Sequence, residues 1–329
     1  MRNVRKILIT GATGCLGLNL AKTLVQKGYQ ILGLGRNHTI GTILENMGCN
    51  FLNADIRSLI PSENLACDLI VHCAALSSPH GRYQEYYKAN VIGTKNVINL
   101  AHELNAGLIH ISTPSIYFAF KDQTLITEDA PLPKIFASHY SHTKYEAEQL
   151  VMQAHREGLE TVIIRPRGIF GEYDTGIVPR ILRIAKSGLF PLVRDGQITI
   201  DLTYVGNVVH AIDLCIDKME SINGEIFNIT NDSPVILQNI LELLFRKLNK
   251  KVRYINLPYS VLYSLALCFE NLSKAMRYRF EPPITTYTLG LISYSQTLNI
   301  DKAKRKLGYR PLLTIEEGID NFLKWRNGL

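Results

Sequence analysis

Along the first two-thirds of the chain, short apolar runs alternate with longer stretches whose apolar positions recur at helical spacing. Lys6–Thr10, Gln30–Leu34, Leu69–Cys73, Leu108–Ser112 and Thr161–Arg165 read as strands, the last ended by Pro166. Leu16–Lys27, Asn90–Leu104 and Tyr140–Glu157 read as helices. Strands separated by such helices predict βαβ units on a parallel sheet, and right-handed crossovers put helices on both of its faces. The fold class expected is therefore α/β and doubly wound. After Gly168 the regularity loosens and Pro, Gly and aromatic residues become frequent. Thr199–Tyr204 leading into a helix at Val208–Lys218, and a strand at Ile226–Thr230, still look like sheet-domain material.

With 46% hydrophobic and 20% charged residues over 329 positions, disordered and low-complexity classes are excluded. The net charge of +7 is uneven: residues 1–242 hold 21 basic and 23 acidic side chains, and residues 243–329 hold 15 and 6. The six cysteines form no Cys-x-x-Cys pair and no carboxylate or histidine recurs at ligand spacing, so reduced thiols and no metal site are expected. The basic start Met1–Lys6 is followed by only three apolar residues, too few for a secretory core, and Val261–Phe269 is far below the roughly 20 residues that span a bilayer. The expected location is the cytoplasm.

Thr10-Gly11-Ala12-Thr13-Gly14-Cys15-Leu16-Gly17 follows the first strand and opens the first helix. Glycines at this spacing allow a tight turn, close backbone approach to a pyrophosphate and close helix–strand packing, while the helix N-terminus offers free N–H groups. A dinucleotide site is expected there. The second strand ends in Gly35-Arg36-Asn37, without the carboxylate that usually accepts from an NAD ribose. Arg36 can pair with a 2′-phosphate, so NADP(H) is favoured with NAD(H) left open. Asp55 either meets the adenine or caps a turn. Tyr140 and Lys144 share one helix face at a spacing of four, and a nearby ammonium together with an oxidised nicotinamide is expected to lower the phenol from its usual value of about 10. A hydroxyl-rich strand end, Ile111-Ser112-Thr113-Pro114-Ser115, precedes the pair.

In this order, the glycine motif, the Ser/Thr-rich strand end and Tyr-x-x-x-Lys resemble the extended short-chain dehydrogenase/reductases of the NAD-dependent epimerase/dehydratase superfamily. Asn90-Val-Ile-Gly93-Thr94, Arg165-Pro166-x-Gly168-Ile-Phe-Gly171 and Lys306-Leu-Gly308-Tyr309-Arg310-Pro311 extend the resemblance over the whole chain. Ser112-Thr-Pro-Ser-Ile-Tyr117 with Asp201-Leu-Thr-Tyr204-Val is most similar to the 3β-hydroxysteroid dehydrogenase-like branch, which includes sterol dehydrogenases and reductases of 2-alkyl-3-oxoalkanoates.

The resemblance implies a Rossmann-type dinucleotide-binding domain at 1–170, also receiving about 199–230. A smaller C-terminal substrate-binding domain would be built mainly from 171–198 and 231–329. It implies Tyr140 as acid/base, Lys144 as its tuning and ribose-binding partner, and Thr113, with Ser115 as competitor, as the hydroxyl that polarises a carbonyl. Gly11, Thr13, Gly14, Cys15, Leu16, Gly17, Arg36, Asp55, Ile56, Cys73, Ala74, Ala75, Asn90, Lys144 and Pro166 would hold the cofactor. Asn90 would take a helix-bending role or simply pack. Gly206 departs from the pattern, where relatives often carry Asp, and puts a local helix cap in doubt.

Residues 254–294 hold eight aromatics within 41 positions, and Leu257–Leu272 reads as an apolar-faced helix suited to a hydrophobic pocket, unless these side chains are simply that domain's own core. Lys274, Arg277 and Arg279 beside it suggest a basic rim, with peripheral contact to an anionic membrane surface open. The expected activity is NADP(H)-linked interconversion of a hydrophobic ketone, steroid-like or of 3-keto acid type, and its alcohol. The alternative is a nucleotide-sugar epimerase or dehydratase using bound NAD. No specific nucleic-acid partner is expected, for want of an arginine-rich stripe. A homodimer through the helices at Asn90–Leu104 and Tyr140–Glu157 is left open.

Overall fold

In chain order the elements are β1 (Lys6–Thr10), α1 (Cys15–Gln26), β2 (Gln30–Gly35), α2 (His38–Asn46), β3 (Asn50–Asn53) and β4 (Leu69–His72). Next come α3 (Tyr83–Tyr86) and α4 (Gly93–Glu103), β5 (Gly107–Ile111), β6 (Gln123–Ile126), α5 (His139–Arg156) and β7 (Thr161–Pro166). The remainder comprises β8 (Ile169–Phe170), α6 (Ile177–Ile184), β9 (Leu189–Leu192), β10 (Thr199–Ile200), β11 (Thr203–Tyr204), α7 (Val205–Lys218) and β12 (Ile226–Ile229). It ends with β13 (Val235–Ile236), α8 (Leu237–Lys247), β14 (Arg253–Asn256), α9 (Tyr259–Ala275), α10 (Thr286–Leu291), β15 (Gln296–Leu298) and α11 (Ile315–Arg326). The computed structural model describes residues 4–58 and 65–328; Met1–Asn3, at the basic start of the chain, lie outside it.

Seven parallel strands form the central sheet in the order β3-β2-β1-β4-β5-β7-β12. Alternate side chains feed two cores. Ile7, Ile9, Val162 and Ile164 pack with Leu20, Leu24, Val208 and Ile212 of α1 and α7. Leu8, Ile70, Leu108 and Ile163 pack with Val97, Ala101, Val151 and Ala154 of α4 and α5 on the other face. A sheet buried on both faces explains why its strands read as near-continuous apolar runs. Strand order reverses direction between β1 and β4, and crevices at such a switch point lie at the carboxyl ends of the strands.

A four-stranded sheet, β13-β10-β15-β6, and two strand pairs, β8–β11 and β9–β14, make up the rest. Thr199–Tyr204, expected as one strand, is two: β10 joins the four-stranded sheet and β11 pairs with β8. The break falls at Asp201, whose Oδ2 accepts from Leu298 N at 2.7 Å. α7 begins at Val205 rather than Val208, and its N-cap, Tyr204, makes no side-chain cap bond. A Cβ at Gly206 would come within 2.6 Å of the Tyr204 ring, so close packing decides the residue there.

The helix expected over Leu257–Leu272 is α9, but most of its apolar side chains face outward. Leu262 and Ala266 are buried, whereas Val261, Leu265 and Leu272 are about half exposed. The basic C-terminal quarter is also partly neutralised. Lys302 and Lys306 pair with Glu225 and Lys304 with Asp232, so two acids from the earlier chain absorb part of the excess. Among the described residues no helix is long and apolar enough to cross a membrane.

Candidate active site

A cleft of about 510 Å³ opens at the switch point. Gly11, Thr13, Gly14, Arg36, Asp55, Ile56, Cys73, Ala74 and Ala75 line it, so nine of the expected cofactor residues come together. Gly11 has φ +67°, and a Cβ there would lie 2.7 Å from Ala74 N, on the far side of the switch. A Cβ on Gly17 would lie 2.4 Å from Gly11 O, so the first helix can approach its strand this closely only without a side chain. Gly14 caps α1 with no side-chain bond, which leaves the helix N-terminal N–H groups at Cys15 and Leu16 turned to an incoming anion. This cradle, closed by any side chain at Gly11, fits a dinucleotide pyrophosphate.

At the adenosine end Arg36 stays 67% exposed by side chain and stands 3.9 Å from Asp55. Asp55 accepts from the backbone N–H of Arg57 at 3.0 Å and is clasped by the Arg57 guanidinium, which holds its carboxyl below the usual range. Turn capping is thus what Asp55 does here, while its carboxylate also faces the cleft. Arg57, unnoticed in the sequence because it follows a short irregular turn, places a second guanidinium in the lining.

Beyond the cleft, the N-terminal turn of α5 carries Tyr140. Ser138 and Ser141 form a reciprocal capping box that starts this helix. The Tyr140 phenol faces Thr113, whose hydroxyl lowers it, but burial pushes it up to about 12. Taken together, the chain's own groups therefore do not lower the phenol. Burial outweighs the contact with Thr113, and the Lys144 ammonium, 2% exposed, donates to Ile111 O at 2.7 Å and to His110 Nε2 at 3.2 Å. Burial lowers Lys144 to about 8 and holds His110 well below its ordinary value, so the imidazole is neutral and accepts. His72 is likewise a neutral core group, bonded to Thr10 at 2.7 Å and Thr94 at 2.9 Å.

Thr113 and Ser115 take different places. Thr113 faces Tyr140 and donates to Ser115 Oγ at 3.0 Å; Ser115 Oγ also accepts from the Tyr287 phenol at 3.0 Å. A row of hydroxyls therefore runs Tyr140, Thr113, Ser115, Tyr287, closed by a residue 172 positions downstream that no local pattern singles out.

Asn90 sits in a π-helical stretch, Tyr87–Ile92, between α3 and α4, rather than in the regular helix expected from that residue onward. Its side chain exchanges bonds with the backbone of Leu76 and donates to Thr143 Oγ1 at 3.0 Å, tying the β4 exit loop to α5. Such a bulge re-aims a helix where a side chain is needed off register. Of the other expected cofactor residues, Pro166 ends β7 beside Arg165.

A buried ion pair supports the site from beneath. Arg165 is clasped by Glu148, one turn after Lys144 on α5, and Glu148 also accepts from Ser112 Oγ at 2.6 Å. Removing one partner strands a charge in the core, so Glu148→Ala is expected to cost about 3–5 kcal/mol, read by urea denaturation. An unchanged midpoint would show that the pair is not buried as described.

The NAD dependent epimerase/dehydratase family model matches residues 7–230. Over the chain's length, a 2-alkyl-3-oxoalkanoate reductase of Stenotrophomonas maltophilia is 31% identical, covering 95% of this chain and 97% of its own. A decarboxylating sterol-4-alpha-carboxylate 3-dehydrogenase of Candida albicans is 32% identical, covering 99% and 98%. Among solved structures, the UDP-glucuronic acid 4-epimerase of Bacillus cereus in complex with NAD superimposes with a TM-score of 0.78 at 21% identity, over 98% of this chain and 99% of that one. At that identity the likeness concerns the fold.

Proposed function

The chain belongs to the NAD dependent epimerase/dehydratase family, and on that premise we propose that it is an NADP(H)-dependent oxidoreductase interconverting a hydrophobic ketone and its secondary alcohol. The observation that carries this reading is the contact of Thr113 with Tyr140 at the carboxyl edge of the sheet, beside the dinucleotide cradle, with Lys144 buried beneath. A bound nicotinamide supplies or accepts the hydride. In reduction, Thr113 and Tyr140 hydrogen-bond the carbonyl oxygen, and the protonated phenol delivers its proton as that oxygen gains charge. Lys144 holds positive charge below the phenol and, with Gly11, Thr13, Gly14, Cys73 and Ala74, forms the floor on which the cofactor rests.

The relatives named above reduce 2-alkyl-3-oxoalkanoates and oxidise sterol carboxylates, which supports a 3-keto acid or steroid-like substrate. NADP(H) is supported by two arginines at the adenosine end and by the absence of a carboxylate at the end of β2. Following NADPH and NADH absorbance against 3-keto acids, steroid ketones and nucleotide sugars tests the proposal. Arg36→Ala combined with Arg57→Ala is expected to raise KM for NADPH by about 10–100-fold and to change KM for NADH far less, since bonds to a charged group contribute about 1.5–3 kcal/mol.

The second reading, a nucleotide-sugar epimerase or dehydratase, is favoured by the likeness to an NAD-bound epimerase. Copurified NAD, with no net consumption of added NADPH, would select it.

A further inference from the structure

Arg165 and Arg167 leave the same strand end two residues apart, and both are buried, at 5% and 9% exposure. Their surroundings differ. Arg165 is satisfied on every side, by Glu148, by Tyr117 and by Glu128 O at 2.9 Å. Arg167 is held only by its backbone, whose N–H donates to Ile229 O at 3.1 Å and whose carbonyl accepts from Thr203 Oγ1 at 2.5 Å. Among the described residues its guanidinium makes no hydrogen bond or ion pair, and Nε is enclosed without a partner. Asp201 is within electrostatic reach, but its Oδ2 is taken by Leu298 N and burial pushes it up to about 6.

A buried guanidinium without an acceptor is costly, and in folded proteins such groups are nearly always satisfied. An acceptor from outside the chain would satisfy the Nε–H of Arg167. The position says where it sits. β5 and β7 are neighbours in the sheet, with Ser112 N donating to Ile164 O at 2.7 Å, so Arg167 emerges beside the strand end that carries Thr113 and Ser115. It is also near enough to Tyr287, which closes the hydroxyl row, to oppose the effect of burial on that phenol.

We propose that Arg167 is a carboxylate anchor, so that the site takes a keto or hydroxy acid whose carboxylate lies a few bonds from the reacting carbonyl and whose apolar remainder extends away from it. This rests on the hydride-transfer reading above and narrows its substrate to an anion. A planar fork of donors meets a carboxylate in two parallel bonds and sets which face of the carbonyl turns to Tyr140. Neutral ketones of the same shape leave the fork unmatched and are rejected.

The test compares 3-hydroxydodecanoate with its methyl ester, both oxidised with NADP⁺, in wild type, Arg167→Met and Arg167→Lys. Wild type is expected to prefer the acid by about 100-fold in kcat/KM, Arg167→Met to bring the acid-to-ester ratio close to one, and Arg167→Lys to fall between. A wild-type ratio near one overturns the anchor whatever the variants do, as does an Arg167→Met that lowers acid and ester alike. Should wild type oxidise neither compound, the hydride-transfer reading falls separately. Arg167 is then judged by equilibrium binding of dodecanoate to the NADP(H)-loaded protein: equal affinity in wild type and Arg167→Lys overturns it, and weaker affinity in the variant supports it. Displacement of dodecanoate by UDP would instead assign the guanidinium to a nucleotide diphosphate and overturn the carboxylate.

Discussion

Tyr140→Phe is expected to lower kcat by about 10²–10⁴-fold, the range that a positioned proton donor contributes, while NADPH still binds with nearly wild-type affinity. The phenol faces Thr113 and is not among the residues lining the cleft, so the change leaves the dinucleotide cradle untouched. The pH profile is a second readout of the same group. Burial raises Tyr140 to about 12, so its deprotonated form is scarce near neutrality. Alcohol oxidation consumes that form and is expected to rise steadily with pH, whereas ketone reduction uses the protonated form and is already supplied at pH 7. Lys144, lowered to about 8, loses its ammonium as pH climbs above that value, and reduction should decline from there. Stopped initial-rate measurements in both directions across pH 6–10, on wild type and variant, check this. Full turnover by Tyr140→Phe would remove the phenol from the mechanism.

Gly17→Ala has the other large effect. The added methyl would stand 2.4 Å from Gly11 O and 2.7 Å from Ala12 Cα, both backbone atoms of the turn that faces the pyrophosphate. Neither can yield without moving the turn or α1. Overpacking of this kind costs about 1–3 kcal/mol, and the displaced N–H groups lose their aim at the anion. The expected result is a lowered Tm together with loss of NADPH binding in a fluorescence titration. A variant that binds as tightly as wild type would place the phosphates elsewhere.

What local pattern exposes and what it hides divides along contact distance. β1, β2, β4, β5 and β7 are legible because burial on both faces leaves unbroken apolar runs, and α1 and α5 because each has a clear apolar stripe. α2 and β3 are missed, since only Gly41 and Leu44 of the helix are buried and no residue of the strand is. The cofactor cradle is legible because most of its demands are local, a turn, a helix start and the approach of Gly17 to Gly11 within eight residues, although Gly11 also meets Ala74 across the switch. The hydroxyl row is only half legible. Thr113, Ser115 and Tyr140 can be named from spacing, but Tyr287 joins them across 172 residues.

The tuning of the pair is where tertiary structure adds what spacing does not show. Spacing puts Lys144 on the face of Tyr140, but its ammonium turns to Ile111 O and burial raises the phenol, so the chain's own groups leave Tyr140 a weak acid. Desolvation depends on what closes over a group, and that cover comes from distant segments. The same holds for the two arginines at 165 and 167. Identical side chains two residues apart look interchangeable in the sequence, but one meets Glu148 of α5, whereas the Nε of the other meets no partner among the described residues. By itself the sequence determined the sheet and named a candidate dinucleotide cradle and a candidate acid/base, because the first follows from periodicity and the others from short motifs and the family they resemble. Only the tertiary structure decided how that acid/base is tuned, which hydroxyl touches it and which buried charge is left for a ligand, because those depend on desolvation and pairing between segments that no local pattern relates.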